Sequence, residues 1–149
     1  MSARLTRILV EALQDEYKAR ATYQAVIRCF GEVPPFSNIV EAEGRHIEAL
    51  LPLFDKYSIA VPEDDWPSRV TCPESLTEAC KMGAAAEIEN AEMYHRLIAA
   101  AENYPDVQAV LRRLQRASAE NHLPAFQRCL SRSDESLSRG GRRHRGGIA

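Results

Sequence analysis

The stretch Glu41-Ala-Glu-Gly-Arg-His46 lies in the middle of an amphipathic segment and contains a Glu-x-x-His pair, Glu43 and His46. On an α-helix, three residues correspond to about 300° of rotation, so the carboxylate and the imidazole share one face. Apolar residues flank the pair on that face, namely Ile39, Val40, Ile47, Leu50 and Phe54. The pair is therefore predicted to point into a protein interior. One such motif is weak evidence for a metal site, and an interior ion pair or a half-exposed helix face is the alternative.

The length and composition are those of one globular domain with a distinct terminus. The chain has 149 residues, of which 45% are hydrophobic and 27% are charged. Arginine, glycine and serine dominate the last part, which predicts a domain over residues 1–131 and a flexible Arg/Gly-rich tail over residues 132–149. The tail is interpreted as a solubilising terminus, and an electrostatic contact with nucleic acid or another protein is the alternative.

Hydrophobic runs and cysteines bear on the cellular compartment. No apolar run reaches the length of about eighteen residues that a membrane span needs, and no secretory signal is evident. A cytoplasmic protein without a membrane partner is therefore expected. The sequence has four cysteines but no Cys-x-x-Cys motif, which argues against a zinc ribbon or a rubredoxin-type iron site. The four cysteines are predicted to be free thiols. Cys29, Cys80 and Cys129 are predicted to be small core residues, and Cys72 an accessible one.

Apolar residues recur at helical spacing through most of the chain and predict four helices. The predicted ranges are residues 3–30, 35–57, 75–103 and a fourth helix that starts at Pro105. Gly31 and the following prolines end the first helix, and Ser75 and Glu78 form a capping box at the third. Pro124 is predicted to kink the fourth helix just after His122.

Residues 58–74 contain three prolines and the only tryptophan, Trp66, without any periodicity. They are predicted to form a long crossover loop, which Trp66 attaches to the helices. Two short loops, one long crossover between helices 2 and 3 and no strand pattern predict an all-α antiparallel four-helix bundle. Helices 1 and 2 form one hairpin in this arrangement, and helices 3 and 4 form the other.

The two hairpins repeat an acid, a phenol and a histidine. The members are Glu16, Tyr23, Glu43 and His46 in the first hairpin, and Glu87, Tyr94 and His122 in the second. Ala119 stands three residues before His122, where a second Glu-x-x-His would have its glutamate. With a rise of about 1.5 Å per residue, the break near Pro105 is predicted to bring Glu87 and His122 to the same height in the bundle.

Burial of three carboxylates and two imidazoles would destabilise the fold unless their charge were balanced. A pair of divalent ions would supply that balance. Carboxylate oxygen together with imidazole nitrogen suits iron or manganese, with zinc as a competitor. The candidate metal ligands are Glu16, Glu43, His46, Glu87 and His122.

These residues resemble the ferritin-like superfamily, whose di-iron sites combine glutamates with Glu-x-x-His motifs in a four-helix bundle. The resemblance is strongest to rubrerythrin-like proteins without a rubredoxin domain and to a related, largely uncharacterised bacterial family, and it spans about residues 5–130. The segments that carry it are Glu16-Tyr-Lys-Ala-Arg-Ala-Thr-Tyr23, Glu43-Gly-Arg-His46, Gly83-Ala-Ala-Ala-Glu87 and Asn121-His-Leu-Pro-Ala-Phe126.

The resemblance implies a role for each candidate residue. It makes Glu43 a bridging carboxylate between two iron ions, with Glu16 and Glu87 as terminal ligands and one imidazole per iron from His46 and His122. Tyr23 and Tyr94 would hydrogen-bond the ligand carboxylates, although buried tyrosines often only satisfy their own hydroxyls. The chain departs from the family at Ala119, where a second bridging glutamate is expected, and at Asn90, where rubrerythrin has an additional one.

By this resemblance, the expected function is that of a ferroxidase or of an oxidoreductase that reduces O₂ or peroxide. Electrons would come from iron itself or from a separate donor. The missing carboxylate leaves a weakened or single-metal site open, so the alternative is a non-catalytic or degenerate bundle that serves as an interaction module. A homodimer is expected, whereas mineral storage would require a shell of many subunits.

Overall fold

The computed structural model describes residues 2–132, so the predicted tail lies almost entirely outside the described residues. Its main elements are α1 (Ala3–Phe30), α2 (Phe36–Lys56), α3 (Leu76–Ala100) and α4 (Pro105–Ala117). A π-helical turn, Ser118–His122, follows α4, and residues 123–132 are again α-helical. No strand occurs between residues 2 and 132, which confirms the all-α class. None of the helices in that range combines the length and the apolar character that a bilayer crossing needs.

The helix ends follow local sequence signals. Gly31 has φ = +88°, a conformation that favours glycine, and its amide donates to the carbonyl of Ile27 at 2.8 Å to end α1. The Ser75 hydroxyl accepts from the amide of Glu78 at 3.1 Å, as predicted for the start of α3. The Glu78 carboxylate lies 3.3 Å from Nζ of Lys81, a residue in the next turn of the same helix.

The segment between α2 and α3 is attached to α1. Trp66 Nε1 donates to Gln14 Oε1 at 2.8 Å, which confirms that this tryptophan holds the segment. The Tyr17 hydroxyl donates to the carbonyl of Pro62 at 3.2 Å. Because these contacts fall on one side of α1, they leave its opposite side free to pack against the other helices.

The prediction of free thiols is wrong. Cys29, at the end of α1, forms a disulfide with Cys72, and Cys80 in α3 forms one with Cys129, with Cα–Cα distances of 6.3 and 6.1 Å. Their sequence separations are 43 and 49 residues. Pairing over such distances is set by how the helices pack, which cysteine spacing alone does not reveal.

The helices bury two apolar clusters with a layer of polar residues between them. One cluster contains Leu9, Leu50, Tyr94 and Leu111, and the other contains Tyr23, Phe36, Cys80 and Phe126. Each of α1, α2 and α3 has residues in both clusters, and the α4 region does so through Leu111 and Phe126. The buried polar residues, called the polar layer below, are Glu16, Glu43, His46, Glu87, Asn90, Ser118 and His122.

Candidate metal centre

Every long helical segment contributes to the polar layer at the point where its apolar residues pass from one cluster to the other. Helix α1 provides Glu16, α2 provides Glu43 and His46, and α3 provides Glu87. His122 ends the π-helical turn after α4. The structure thus brings together all five side chains that the sequence indicated as candidate ligands, and each is at most 7% exposed.

The five side chains form two adjoining groups. In the first group, His46 Nδ1 lies 3.3 Å from Glu16 Oε2 and 3.6 Å from Glu43 Oε2. In the second, His122 Nδ1 lies 3.4 Å from Glu43 Oε1 and 3.4 Å from Glu87 Oε1. The short distance between His122 and Glu87 confirms the axial register predicted from the break near Pro105.

Glu43 belongs to both groups. Its Oε2 faces His46, in the group that includes Glu16, whereas its Oε1 faces His122. The donor atoms within each group lie within 4.8 Å of one another, a spacing that a metal ion could occupy. The two imidazole rings are stacked, with centroids 5.3 Å apart and planes inclined by 16°. The arrangement is therefore two similar half-sites that share one carboxylate.

The predicted phenols each contact a carboxylate from the other hairpin. The Tyr94 hydroxyl donates to Glu16 Oε1 at 2.6 Å, and the Tyr23 hydroxyl donates to Glu87 Oε1 at 3.0 Å. Burial and the neighbouring carboxylate raise the pKa of each phenol well above its ordinary value, so both stay protonated and act as donors. At Glu16 the phenol bonds Oε1 and Oε2 stays directed at His46. At Glu87 the same oxygen, Oε1, lies near both Tyr23 and His122.

Asn90 and Ser118 extend the polar layer beyond the candidate ligands. The Ser118 hydroxyl donates to Asn90 Oδ1 at 2.7 Å, and Asn90 Nδ2 donates to Glu16 Oε1 at 3.4 Å and also to the carboxylate of Asp15. The contact between Asn90 and Ser118 was not predicted from the sequence. Both are polar residues on core-facing helix stripes, and a buried polar side chain there needs a hydrogen-bond partner.

Protonation in the metal-free cluster follows from its burial and charge. Burial and the adjacent Glu43 charge raise the pKa of Glu16 to about 8. Burial would lower the pKa of each imidazole, but the carboxylates outweigh it and raise the pKa of His46 to about 10 and that of His122 to about 9. Burial also opposes ionisation of Glu43, yet its close approach to Glu16 and the histidines lowers its pKa. Protons therefore occupy the space between donor atoms that cations would otherwise fill.

Two buried atoms of the cluster make no hydrogen bond within the described part of the chain. They are Glu43 Oε2 and His122 Nδ1. Such atoms are uncommon in folded proteins because an unsatisfied buried polar group is destabilising by about 1–3 kcal/mol. Both atoms face the interior of a half-site, where a bound cation would satisfy them. The residues present therefore fit a metal ion.

The π-helical turn changes which residue of the fourth helix faces the site. Ala119 occupies the place of the expected second bridging glutamate, but it is exposed, whereas Ser118 is buried. The turn holds one more residue than an α-helical turn, and the Leu123 amide donates to the carbonyl of Ser118, five residues back. Pro124 has no amide to bond the carbonyl four residues earlier, which favours an irregular turn at this place. The helix is thus altered before Pro124 by a change of helical type.

The fold and the site define an all-α protein with buried Glu/His groups that could hold a metal ion. No protein-family model matches the sequence, and no curated protein matches it. A solved structure that is similar is the crystal structure of hypothetical protein MJ0754 from Methanococcus jannaschii DSM 2661. The TM-score is 0.80 and the sequence identity 25%, over 90% of this chain and 83% of that one. The likeness supports the fold, and the name of that protein gives no activity.

Proposed function

We propose that this chain is a ferritin-like four-helix bundle that binds two metal ions, with iron as the native metal, and oxidises Fe²⁺ with O₂ or peroxide as the oxidant. The observation that carries the proposal is the position of Glu43, whose two oxygens face two separate half-sites. Each half-site adds one further glutamate and one imidazole nitrogen. A carboxylate shared in this way matches a bridging ligand between two ions.

The helix arrangement supports the ferritin-like assignment. Helix α1 packs against α2 and α3, and α4 packs against α3 and α2. Residues 31–35 and 101–104 are short connections, whereas the segment from 57 to 75 is long and held against α1. This pattern fits two helical hairpins joined by one crossover.

The donor set favours iron or manganese, with zinc as a competitor. Each half-site offers two carboxylate oxygens and one imidazole nitrogen, which leaves room for water or an oxidant at each ion. Three carboxylates against two divalent ions leave about one net positive charge, which favours a small anion in the open positions. Ser118, which is buried and donates to Asn90, adds no negative charge to neutralise it.

When bound, iron would supply the electrons and the Lewis acidity for reducing the oxidant. The protein's own part is to position and shield. Tyr23 and Tyr94 hold the carboxylates of Glu87 and Glu16 in place through hydrogen bonds. The two apolar clusters, one on each side of the polar layer, exclude bulk water. Glu43 links the two half-sites because one of its oxygens faces each of them.

Anaerobic loading followed by aerobic addition of Fe²⁺ tests this proposal. The expected result is two equivalents of bound iron and Fe²⁺ oxidation well above the rate in buffer. One zinc ion or no metal, with oxidation no faster than in buffer, would instead support the non-catalytic bundle that serves as an interaction module. An enzyme that reduces peroxide repeatedly would also need a separate electron donor, and a homodimer remains our proposed assembly.

Metal binding near pH 7 is expected to release protons. The raised pKa values of His46, His122 and Glu16 mean that all three groups hold a proton at pH 7 in the metal-free protein. Coordination needs the deprotonated forms, so loading should release on the order of two to three protons, and affinity should rise as the pH rises from 6 to 9. Calorimetry in buffers of different ionisation enthalpy measures this number. Binding without proton release would contradict the assigned donor atoms.

A further inference from the structure

A cavity of about 530 Å³ lies on the histidine side of the polar layer, between α2 and the segment that follows α4. His46 and His122 form part of its lining, although their Nδ1 atoms face the carboxylates. The cavity is therefore in direct contact with the candidate metal centre. Its volume falls in the range of small-molecule sites, roughly 300–1,000 Å³, and far exceeds that of a single inorganic anion.

The two walls of the cavity have the same sequence pattern. Helix α2 presents Asn38, Ala42 and Arg45, and the opposite wall presents Asn121, Ala125 and Arg128. Within each set, the residues are spaced i, i+4 and i+7, which places them on one helix face. The small alanine side chains take up little of the space, while the asparagine and arginine of each wall line it with polar groups.

The cavity is electropositive. Arg45, Arg128 and Arg132 line it, and none of the lining residues between positions 2 and 132 is acidic. None of the three arginines forms an ion pair with another described residue. Guanidinium groups bind carboxylate and phosphate oxygens in a bidentate manner, and such charge-assisted hydrogen bonds are stronger than neutral ones. Three guanidinium groups that have no carboxylate partner among residues 2–132 thus favour an anion in this space.

Apolar groups form the remainder of the lining. They include Pro34, Pro35, Ile39 and Ala117. A ligand that fills the cavity would combine an anionic head for the arginines with an apolar body for these surfaces. We infer that the cavity binds a small organic anion of this kind, an apolar molecule with a carboxylate or phosphate head, directly beside the histidines of the polar layer. This inference goes beyond the proposed redox function and does not require bound metal.

Calorimetric titration of the full chain with 2-naphthoate, 2-naphthyl phosphate and neutral 2-naphthamide tests the inference. At least one anion is expected to bind about tenfold or more tightly than the amide, and the tighter anion identifies the head group. Arg45→Gln and Arg128→Gln should each weaken that binding roughly tenfold. Arg113→Gln is the matched control, because Arg113 is an exposed arginine of α4 outside the cavity, and it should bind as the unaltered chain does.

Repeating the titration after chelator treatment separates this inference from the proposed function. Binding that persists in the metal-free chain and depends on Arg45 and Arg128 supports the cavity site, whether or not iron is oxidised. Three results would overturn it. They are equal binding of the amide and the anions, binding lost on metal removal but unaffected by either arginine variant, and an equal loss in the Arg113→Gln control.

Discussion

Glu43→Ala is expected to abolish binding of both metal ions, with affinity falling at least about hundredfold for each. A terminal ligand serves one half-site, but the oxygens of Glu43 face both, so its removal leaves each group with only one carboxylate and one imidazole. The variant also loses the negative charge that offsets the two neighbouring imidazoles. Iron or manganese stoichiometry after anaerobic loading measures the effect directly.

Glu41→Ala is the matched control for this experiment, because Glu41 is an exposed glutamate of the same helix. It should retain two equivalents of metal, and circular dichroism should show that both variants keep their helices. Loss of a single equivalent in Glu43→Ala would rule out a shared carboxylate. Two retained equivalents would remove Glu43 from the site altogether.

Gly83→Ala is expected to destabilise the fold by about 1–3 kcal/mol, although the same change within a helix ordinarily stabilises by about 1 kcal/mol. A Cβ atom on Gly83 would lie 2.5 Å from Phe126 Cε1. The ring has no room to move away, because Phe126 is fully buried with Tyr23 at 5.3 Å and Phe36 at 5.4 Å between centroids. Chemical denaturation of the variant measures the change in the free energy of unfolding.

Gly44→Ala provides the comparison, since nothing lies within 4 Å of a Cβ built at that position of α2. It should stabilise the protein by roughly 0.5–1 kcal/mol. Adding Phe126→Leu to Gly83→Ala should cost less than the two single changes together, because the smaller side chain relieves the clash. A stabilising effect at both glycines would show that the ring is not tightly packed against α3.

The sequence was a good guide to the helices because their ends depend on local chemistry. The predicted range of the first helix, 3–30, matches α1, and Ser75 caps α3 as expected. Gly31 and the prolines after it interrupt the helical hydrogen bonds, and this effect does not depend on how the rest of the chain packs. Free thiols were predicted wrongly, because whether Cys80 meets Cys129 depends on how α3 lies against residues 123–132. Spacing along the chain carries no information of that kind.

The candidate site was predictable where helical periodicity is regular. Glu16, Glu43, His46 and Glu87 lie in uninterrupted α-helices, so their spacing translated directly into shared faces. Position 119, where the resemblance places a second bridging glutamate, is exposed within the π-helical turn, whereas Ser118 is buried. The change in helical type depends on how the helix adapts to Pro124 within the packed protein, and an assumed period of 3.6 residues does not contain it.

The position of the polar layer has a thermodynamic consequence. Each apolar cluster contains residues from both helical hairpins. Unfolding of either hairpin would therefore disrupt both clusters. The layer between them holds carboxylates and protonated imidazoles, and a bound cation would take the place of the protons. A ligand that binds only the native state raises the free energy of global unfolding by RT ln(1 + [L]/Kd). The candidate metal ligands come from all four helical segments. Bound metal would therefore raise the melting temperature of the whole molecule.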